Sequence, residues 1–210
     1  MSARTVIVYS DYKSPYAYLA KDLAYALEES HGVRFDWRPY VLDIPSYLGS
    51  ARLGENGRVV EESRNAHQWR RVRYSYMDCR REAAKRGLVI RGTQKIWDSS
   101  LAAAGMLFAQ ARGDFVFRRY HDVVFERFWR RALDIENSDA LADVLAEAGA
   151  GGGFQAWARE GQAQVATISR EAEAAGVFGV PSFIIDGELF WGREHLPEIA
   201  ERLGAGQSQS

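Results

Sequence analysis

Asp11-Tyr12-Lys13-Ser14-Pro15-Tyr16-Ala17-Tyr18-Leu19-Ala20 is the stretch on which the reading of this chain turns. Just before it, Thr5-Val6-Ile7-Val8-Tyr9 is a β-branched run and reads as a buried strand. Just after it, Tyr16, Leu19, Ala20, Leu23 and Leu27 fall at helical spacing, so a helix runs from Pro15 towards Gly32. Ser14-Pro15 therefore stands at a strand-to-helix junction. Serine is a favoured N-cap, because its hydroxyl satisfies a free N–H of the first turn, and proline is favoured at the next position. Capping alone explains the pair. A second reading uses the place in the fold. Such a junction aims backbone N–H groups and the positive helix end at one spot, where an anion is stabilised, a thiolate included. A serine hydroxyl donates a hydrogen bond to that anion and lowers a ligand thiol's pKa without ionising itself. Both readings are open at this point.

Working outward, Val33 to Trp37 alternates and reads as a second strand, parallel to the first if the crossover is right-handed. Pro39 and Pro45 break the pattern, and residues 46–62 look irregular, with Gly49, Gly54 and Gly57 among polar residues. From Ser63 to Gly176 the signals are almost all helical. Trp69, Val72, Tyr76, Cys79 and Ala83 form one stripe; Leu101 to Ala111 and Phe117 to Phe128 form two more. Asn137-Ser138-Asp139 caps a helix through Leu141 and Leu145, and Phe154 to Ala175 is helical again. Ser182-Phe183-Ile184-Ile185 then reads as a strand, Asp186-Gly187 as a two-residue hairpin, and Glu188 to Trp191 as the returning strand. A helix from Glu194 follows. The order is β-α-β, a helical block, then α-β-β-α. This predicts an α/β fold whose discontinuous first domain comprises residues 1–45 and 165–204. A helical insertion domain occupies 60–164, and 205–210 form a disordered tail.

The composition narrows the function. Basic and acidic side chains nearly cancel (27 against 28), so no global charge favours nucleic acid or an anionic membrane. A hydrophobic fraction of 47% suits a soluble protein with a good core. Cys79 is the one cysteine, which excludes an intrachain disulfide and a self-contained dithiol redox centre. It lies on the apolar stripe and is expected to be a buried, inert thiol. His31, His67, His121 and His195 have no ligand-like spacing, so no metal site is expected. The run 5–9 is too short for a signal-peptide core and no stretch suffices for a membrane span, which makes the cytoplasm the expected location. Seven basic residues between Arg70 and Arg86 read as a solvated helix face; a few of them could hold a ligand carboxylate.

The segment Asp11 to Ala20 resembles the active-site stretch of the DsbA-like thioredoxin superfamily. More narrowly it resembles the glutathione-using branch, the 2-hydroxychromene-2-carboxylate isomerases and kappa-class glutathione transferases. Redox members carry Cys-Pro-x-Cys there; this chain has Ser14 and Ala17 at the two cysteine places. Phe178-Gly179-Val180-Pro181-Ser182-Phe183 is similar to the second motif of that superfamily. The resemblance implies a cis bond before Pro181, facing the first helix, with the Val180 backbone pairing with the cysteinyl part of glutathione. Trp191-Gly192-Arg193-Glu194-His195-Leu196 resembles the Trp/Phe-Gly-x-Asp-Arg-Leu stretch of the same branch, with His195 at the usual arginine place. There Gly192, Arg193 and Glu194 would hold the γ-glutamyl end; alternatively Glu194 only complements a helix dipole. Gly92 to Ser99 departs from the family's Pro-x-x-Phe-Asn-like stretch, so the resemblance does not extend to the second substrate. Tyr16, Lys95 and Asp98 are its candidate contacts.

The resemblance thus implies a thioredoxin-like fold with a large all-helical insertion. It implies a glutathione-dependent isomerase or transferase acting on a conjugated, aromatic electrophile, with Ser14 stabilising the thiolate. The expected partners are a small-molecule substrate and a second copy in a homodimer. The alternatives are a thiol-disulfide oxidoreductase with a degenerate site, and a thiol- or partner-binding protein without turnover.

Overall fold

The structure is a computed structural model that describes residues 4–205. Strand β1 (Thr5–Ser10) leads through a turn into α1 (Pro15–His31) and returns as β2 (Arg34–Pro39). A short helix α2 (Ile44–Leu48) and a hairpin, β3 (Ala51–Leu53) and β4 (Val59–Glu62), follow. Five helices come next: α3 (Ala66–Ala84), α4 (Ser100–Gln110), α5 (Asp114–Trp129), α6 (Ser138–Ala148) and α7 (Phe154–Ala174). The chain closes with β5 (Ser182–Ile185), β6 (Glu188–Trp191), a 3-10 turn over Arg193–His195 and α8 (Leu196–Ala205).

The main sheet runs β2-β1-β5-β6. β1 lies parallel to β2, as the crossover requires, and antiparallel to β5. The two ends of the chain therefore build one sheet. Val6 and Val8 of β1, fully buried, stack with Phe183 and Ile185 of β5 in its core. Asp186 and Gly187 both have positive φ (52° and 80°), the backbone a tight two-residue hairpin demands. The ends also meet through side chains: Arg4 pairs with Asp186 and donates to the Arg202 carbonyl at 2.7 Å.

Three expectations need correction. Residues 46–62 are not simply irregular; they carry the end of α2 and the β3–β4 hairpin. Strands of three and four residues are too short to show alternation, and Gly57 (φ 72°) makes the turn. Leu23, placed on the buried stripe of α1, is 39% exposed, whereas Lys21 is buried. Its ammonium reaches Asp122 of α5 at 2.5 Å and pairs with Asp22, so a salt link occupies the α1–α5 seam. Finally, α8 begins at Leu196 after a separate 3-10 turn, and Ala205, expected in the tail, ends it. Residues 206–210 of the tail lie outside the described residues. No helix among the described residues is long and apolar enough to cross a membrane.

His121 of α5 sits in the core where the two ends and the helical block meet. It is fully buried among Trp37, Phe117 and Phe125, and its Nδ1 shares a 2.9 Å hydrogen bond with the Tyr12 hydroxyl. Nε2 has no partner. Burial, reinforced by the Lys21 charge, holds its pKa well below the usual histidine value. The sign of the linkage is then fixed. The unfolded imidazole takes a proton near pH 6.5, whereas the folded one stays neutral until much lower pH. Stability is complete above about pH 6.5 and falls as pH drops below it, by up to about 1.4 kcal/mol per pH unit for this group. Thermal unfolding across that range should show the loss, and His121→Gln should flatten it. An equal acid slope in that variant would remove His121 as the cause.

Candidate functional site

β1 ends at Ser10 and the chain turns over Asp11 to Ser14, closed by a 3.0 Å bond from Ser14 N–H to the Asp11 carbonyl. The turn puts Ser14 at the N-cap of α1 with extended backbone and Pro15 at the first helical position. Its oxygen accepts from Ala17 N–H at 3.2 Å, so the capping reading is correct. The same hydroxyl donates across the fold to the Val180 carbonyl at 3.4 Å. The Val180–Pro181 bond is cis, and this loop precedes β5, which pairs with β1. One hydroxyl therefore caps the helix and faces the loop; the two readings of Ser14 are compatible.

Ser14 opens onto a cleft of about 940 Å³, within the range of small-molecule sites. The floor is Ser14, Tyr16, Val180 and Pro181; Gly192, Arg193 and Glu194 line one end. α3 supplies Arg71, Val72, Tyr76 and Asp78, and the segment before α4 supplies Lys95, Ile96 and Trp97. The third wall is Leu42, Ile44 and Tyr47. Most of the lining surface is apolar.

The residues singled out from sequence divide as follows. Ser14, Tyr16, Val180, Pro181, Gly192, Arg193, Glu194 and Lys95 share the cleft. Asp98 is absent from its lining. Its carboxylate accepts from Ser100 N–H at 2.9 Å and Ser100 O–H at 3.0 Å, and so caps α4 instead. Lys95 faces the cleft but is engaged by Glu136 and lies 4.4 Å over the Trp97 ring. Gly192 has φ 108°, and a Cβ there would fall 2.4 Å from the Glu194 carboxylate; only glycine lets that acid fold back over the backbone. Glu194 is exposed and has no ion-pair partner among the described residues, while Arg193 reaches Glu82 at 3.5 Å. The Tyr16 hydroxyl contacts Ser75 and Cys79, and burial pushes its pKa up to about 12. Cys79 itself is fully buried behind it, and burial pushes the thiol to about 12. It is a poor thiolate at neutral pH.

Sequence reasoning missed Arg64 and Tyr47, and it offered Arg71 only as one of seven basic residues of which a few could hold a ligand carboxylate. The stripe of Val72 and Tyr76 carried the signal for Arg71, since the adjacent flank of α3 must border whatever the stripe faces. Arg64 precedes the helix, donates to the Leu48 and Gly49 carbonyls, and stacks 5.0 Å over Trp69.

Strand order, the helical block between β2 and β5, and the serine opposite a cis-proline loop point one way, and the comparison with known proteins decides it. The sequence profile of the DSBA-like thioredoxin domain matches residues 5–204. The chain belongs to the DSBA-like thioredoxin family. Within it, the chain is 24% identical over 204 residues to a 2-hydroxychromene-2-carboxylate isomerase of Sphingobium xenophagum, covering 95% of this chain and 98% of that one. Among solved structures it resembles a 2-hydroxychromene-2-carboxylate isomerase (TM-score 0.69, 20% identity, 98% and 97% of the two chains). It is equally close to a probable DsbA oxidoreductase of Streptomyces coelicolor (0.71, 18%, 99% and 91%). A third is the cytosolic disulfide reductase DsbM of Pseudomonas aeruginosa with GSH (0.62, 19%, 98% and 100%). These likenesses establish the DsbA-like fold, with isomerase and oxidoreductase relatives alike. The member described here has serine and alanine where a dithiol would stand.

Proposed function

We propose that this chain is a glutathione-dependent isomerase or transferase acting on a conjugated, aromatic electrophile. The observation that carries the reading is the Ser14 hydroxyl. Its proton is held only by a 3.4 Å contact to the Val180 carbonyl, outside the 2.5–3.0 Å range of ordinary O–H···O bonds. It can turn towards a sulfur anion at little cost. The only cysteine is buried and lies outside the cleft lining, so the chain has no thiol of its own to present there.

The residues present fit glutathione. Val180 is buried, and its N–H has no acceptor among the described residues, which suits an added peptide backbone. Glu194 is placed to meet an ammonium, and Arg193 lies beside it. When bound, glutathione supplies a nucleophilic sulfur able to add to an electrophilic carbon. Ser14 donates to that sulfur, and the N-terminus of α1 adds a favourable potential. Ile96, Trp97, Leu42 and Ile44 offer apolar walls to a flat substrate. The similarity to the isomerase over nearly the whole of both chains supports the isomerase arm.

Glutathione should stabilise the native state by mass action. At a hundred-fold excess over Kd the gain is about 2.7 kcal/mol, or about 5–10 °C in melting temperature for a chain of this size. No shift at millimolar glutathione would favour a partner-binding module. Insulin reduction by this single-cysteine chain would instead favour the oxidoreductase relatives.

A further inference from the structure

We infer that Lys13 is a second group on this chain that sets the ionisation of a thiol bound at Ser14. The inference rests on the glutathione reading above. Lys13 immediately precedes Ser14 and lines the same cleft, yet its side chain is only 5% exposed. The nearest anionic oxygen is Asp11 Oδ2 at 3.6 Å, beyond hydrogen-bond length. No acceptor among the described residues takes any of its three donors at bonding distance. Asp11 is the better satisfied partner. Its side chain is 1% exposed, Oδ1 accepts from Lys13 N–H at 3.2 Å and Oδ2 from Leu42 N–H at 2.8 Å. Asp11 is absent from the cleft lining and Lys13 is part of it. Of the two partners it is the lysine that borders the cleft. A buried ammonium short of acceptors is costly unless a ligand supplies an anion, and the Ser14 position is where the fold would bind one.

The other charged groups around the cleft do not do this job. Asp78 of α3 is paired with Arg81 at 2.5 Å, Lys95 with Glu136, and Arg193 with Glu82. Arg71 and Glu194 are exposed, and Arg64 gives its Nε to backbone carbonyls. Tyr47, pushed to about 12 by burial, is neutral at ordinary pH. Exposed charges of both signs are screened by water and salt, whereas the field of a buried one persists. Lys13 is the cation that reaches a thiolate least screened.

The test is the pH titration of thiolate ultraviolet absorbance for glutathione bound to the full chain and to Lys13→Met, Lys13→Gln and Lys13→Arg. Alongside it, the affinity of S-methylglutathione is measured, since that ligand keeps both carboxylates and has no ionisable sulfur. Either neutral variant should raise the midpoint by about one pH unit, about tenfold less thiolate below it. Lys13→Arg should restore the midpoint, and S-methylglutathione should bind all forms alike. An unmoved midpoint overturns the inference. So does weaker S-methylglutathione binding that matches the loss for glutathione, which would make Lys13 a carboxylate contact. Wild-type protein that binds glutathione without any thiolate signal would overturn the Ser14 reading, and this one with it.

Discussion

Ser14→Ala should keep the fold and lose about 10²- to 10³-fold in turnover, the range seen when one preorganised donor to a developing or bound anion is removed. Two roles meet in this hydroxyl, and the substitution removes both. Losing the bond from Ala17 N–H costs about 1 kcal/mol, the usual penalty for an N-cap replaced by alanine. A stability loss of that size is therefore expected whether or not the site is catalytic. The turnover loss is not, and a second variant separates the two. Ser14→Asp keeps an N-cap acceptor but has no proton to donate when ionised, and it sets a negative charge against the thiolate. It should melt close to wild type and be inactive. Ser14→Thr, which retains cap and donor, should retain most activity. Steady-state rates with glutathione and a conjugated electrophile would check all three. Normal turnover in Ser14→Ala would refute the role assigned here.

The second large effect lies in the helical block and has no direct bearing on the cleft. Gly105→Ala should destabilise the chain by about 2–4 kcal/mol, a large part of a typical 5–15 kcal/mol. An added Cβ would fall 2.1 Å from the Tyr120 hydroxyl oxygen and 2.6 Å from its ring carbon. Tyr120 is fully buried, and its hydroxyl donates to the Ala102 carbonyl at 2.9 Å. It cannot swing out freely, because the Tyr12 ring stands edge-on at 6.1 Å. Either α4 and α5 part, or the hydroxyl loses its acceptor in the core. Urea unfolding midpoints would register the change. Adding Tyr120→Phe should recover part of it, because the closest of the clashing atoms is then gone; the two substitutions share a contact and should not add. A wild-type midpoint in Gly105→Ala would show that the helices yield more easily than their packing implies.

How much of this was legible beforehand follows from the physics of each segment. The β-α-β start and the α-β-β-α end carry strong periodicities and unambiguous turn residues, and both form as expected. Ser14, Val180 and Pro181 could be paired across the sequence only through a resemblance, since no periodicity links a helix cap to a loop so distant in the chain. The β3–β4 hairpin was hidden because strands of three and four residues hold at most two alternations, too few to stand out. Burial of Lys21 in place of Leu23 escaped notice because hydrophobic periodicity gives a lysine no inward place, and its partner Asp122 lies on another helix. Asp98 was offered as a substrate contact because it lies in the run that corresponds to the family's substrate stretch, and its bonds to Ser100 emerge only from the structure. The Tyr47 and Arg71 walls depend on how α2 and α3 pack, which no local pattern encodes.

The position of β1 has a consequence for synthesis. It pairs with β2 on one side and with β5 on the other. β2 emerges soon after it, but at 5–20 residues per second β5 follows only about 10–30 s later. Through that interval a hydrophobic strand has one open edge, a template for pairing with a wrong chain. The meeting of Arg4 with Asp186 and Arg202 offers a remedy by design. A circular permutant that joins those ends and opens at the loop over Gly151 to Gly153 would place β5, β6, α8 and β1 in one unbroken run, and close the edge as β1 is made.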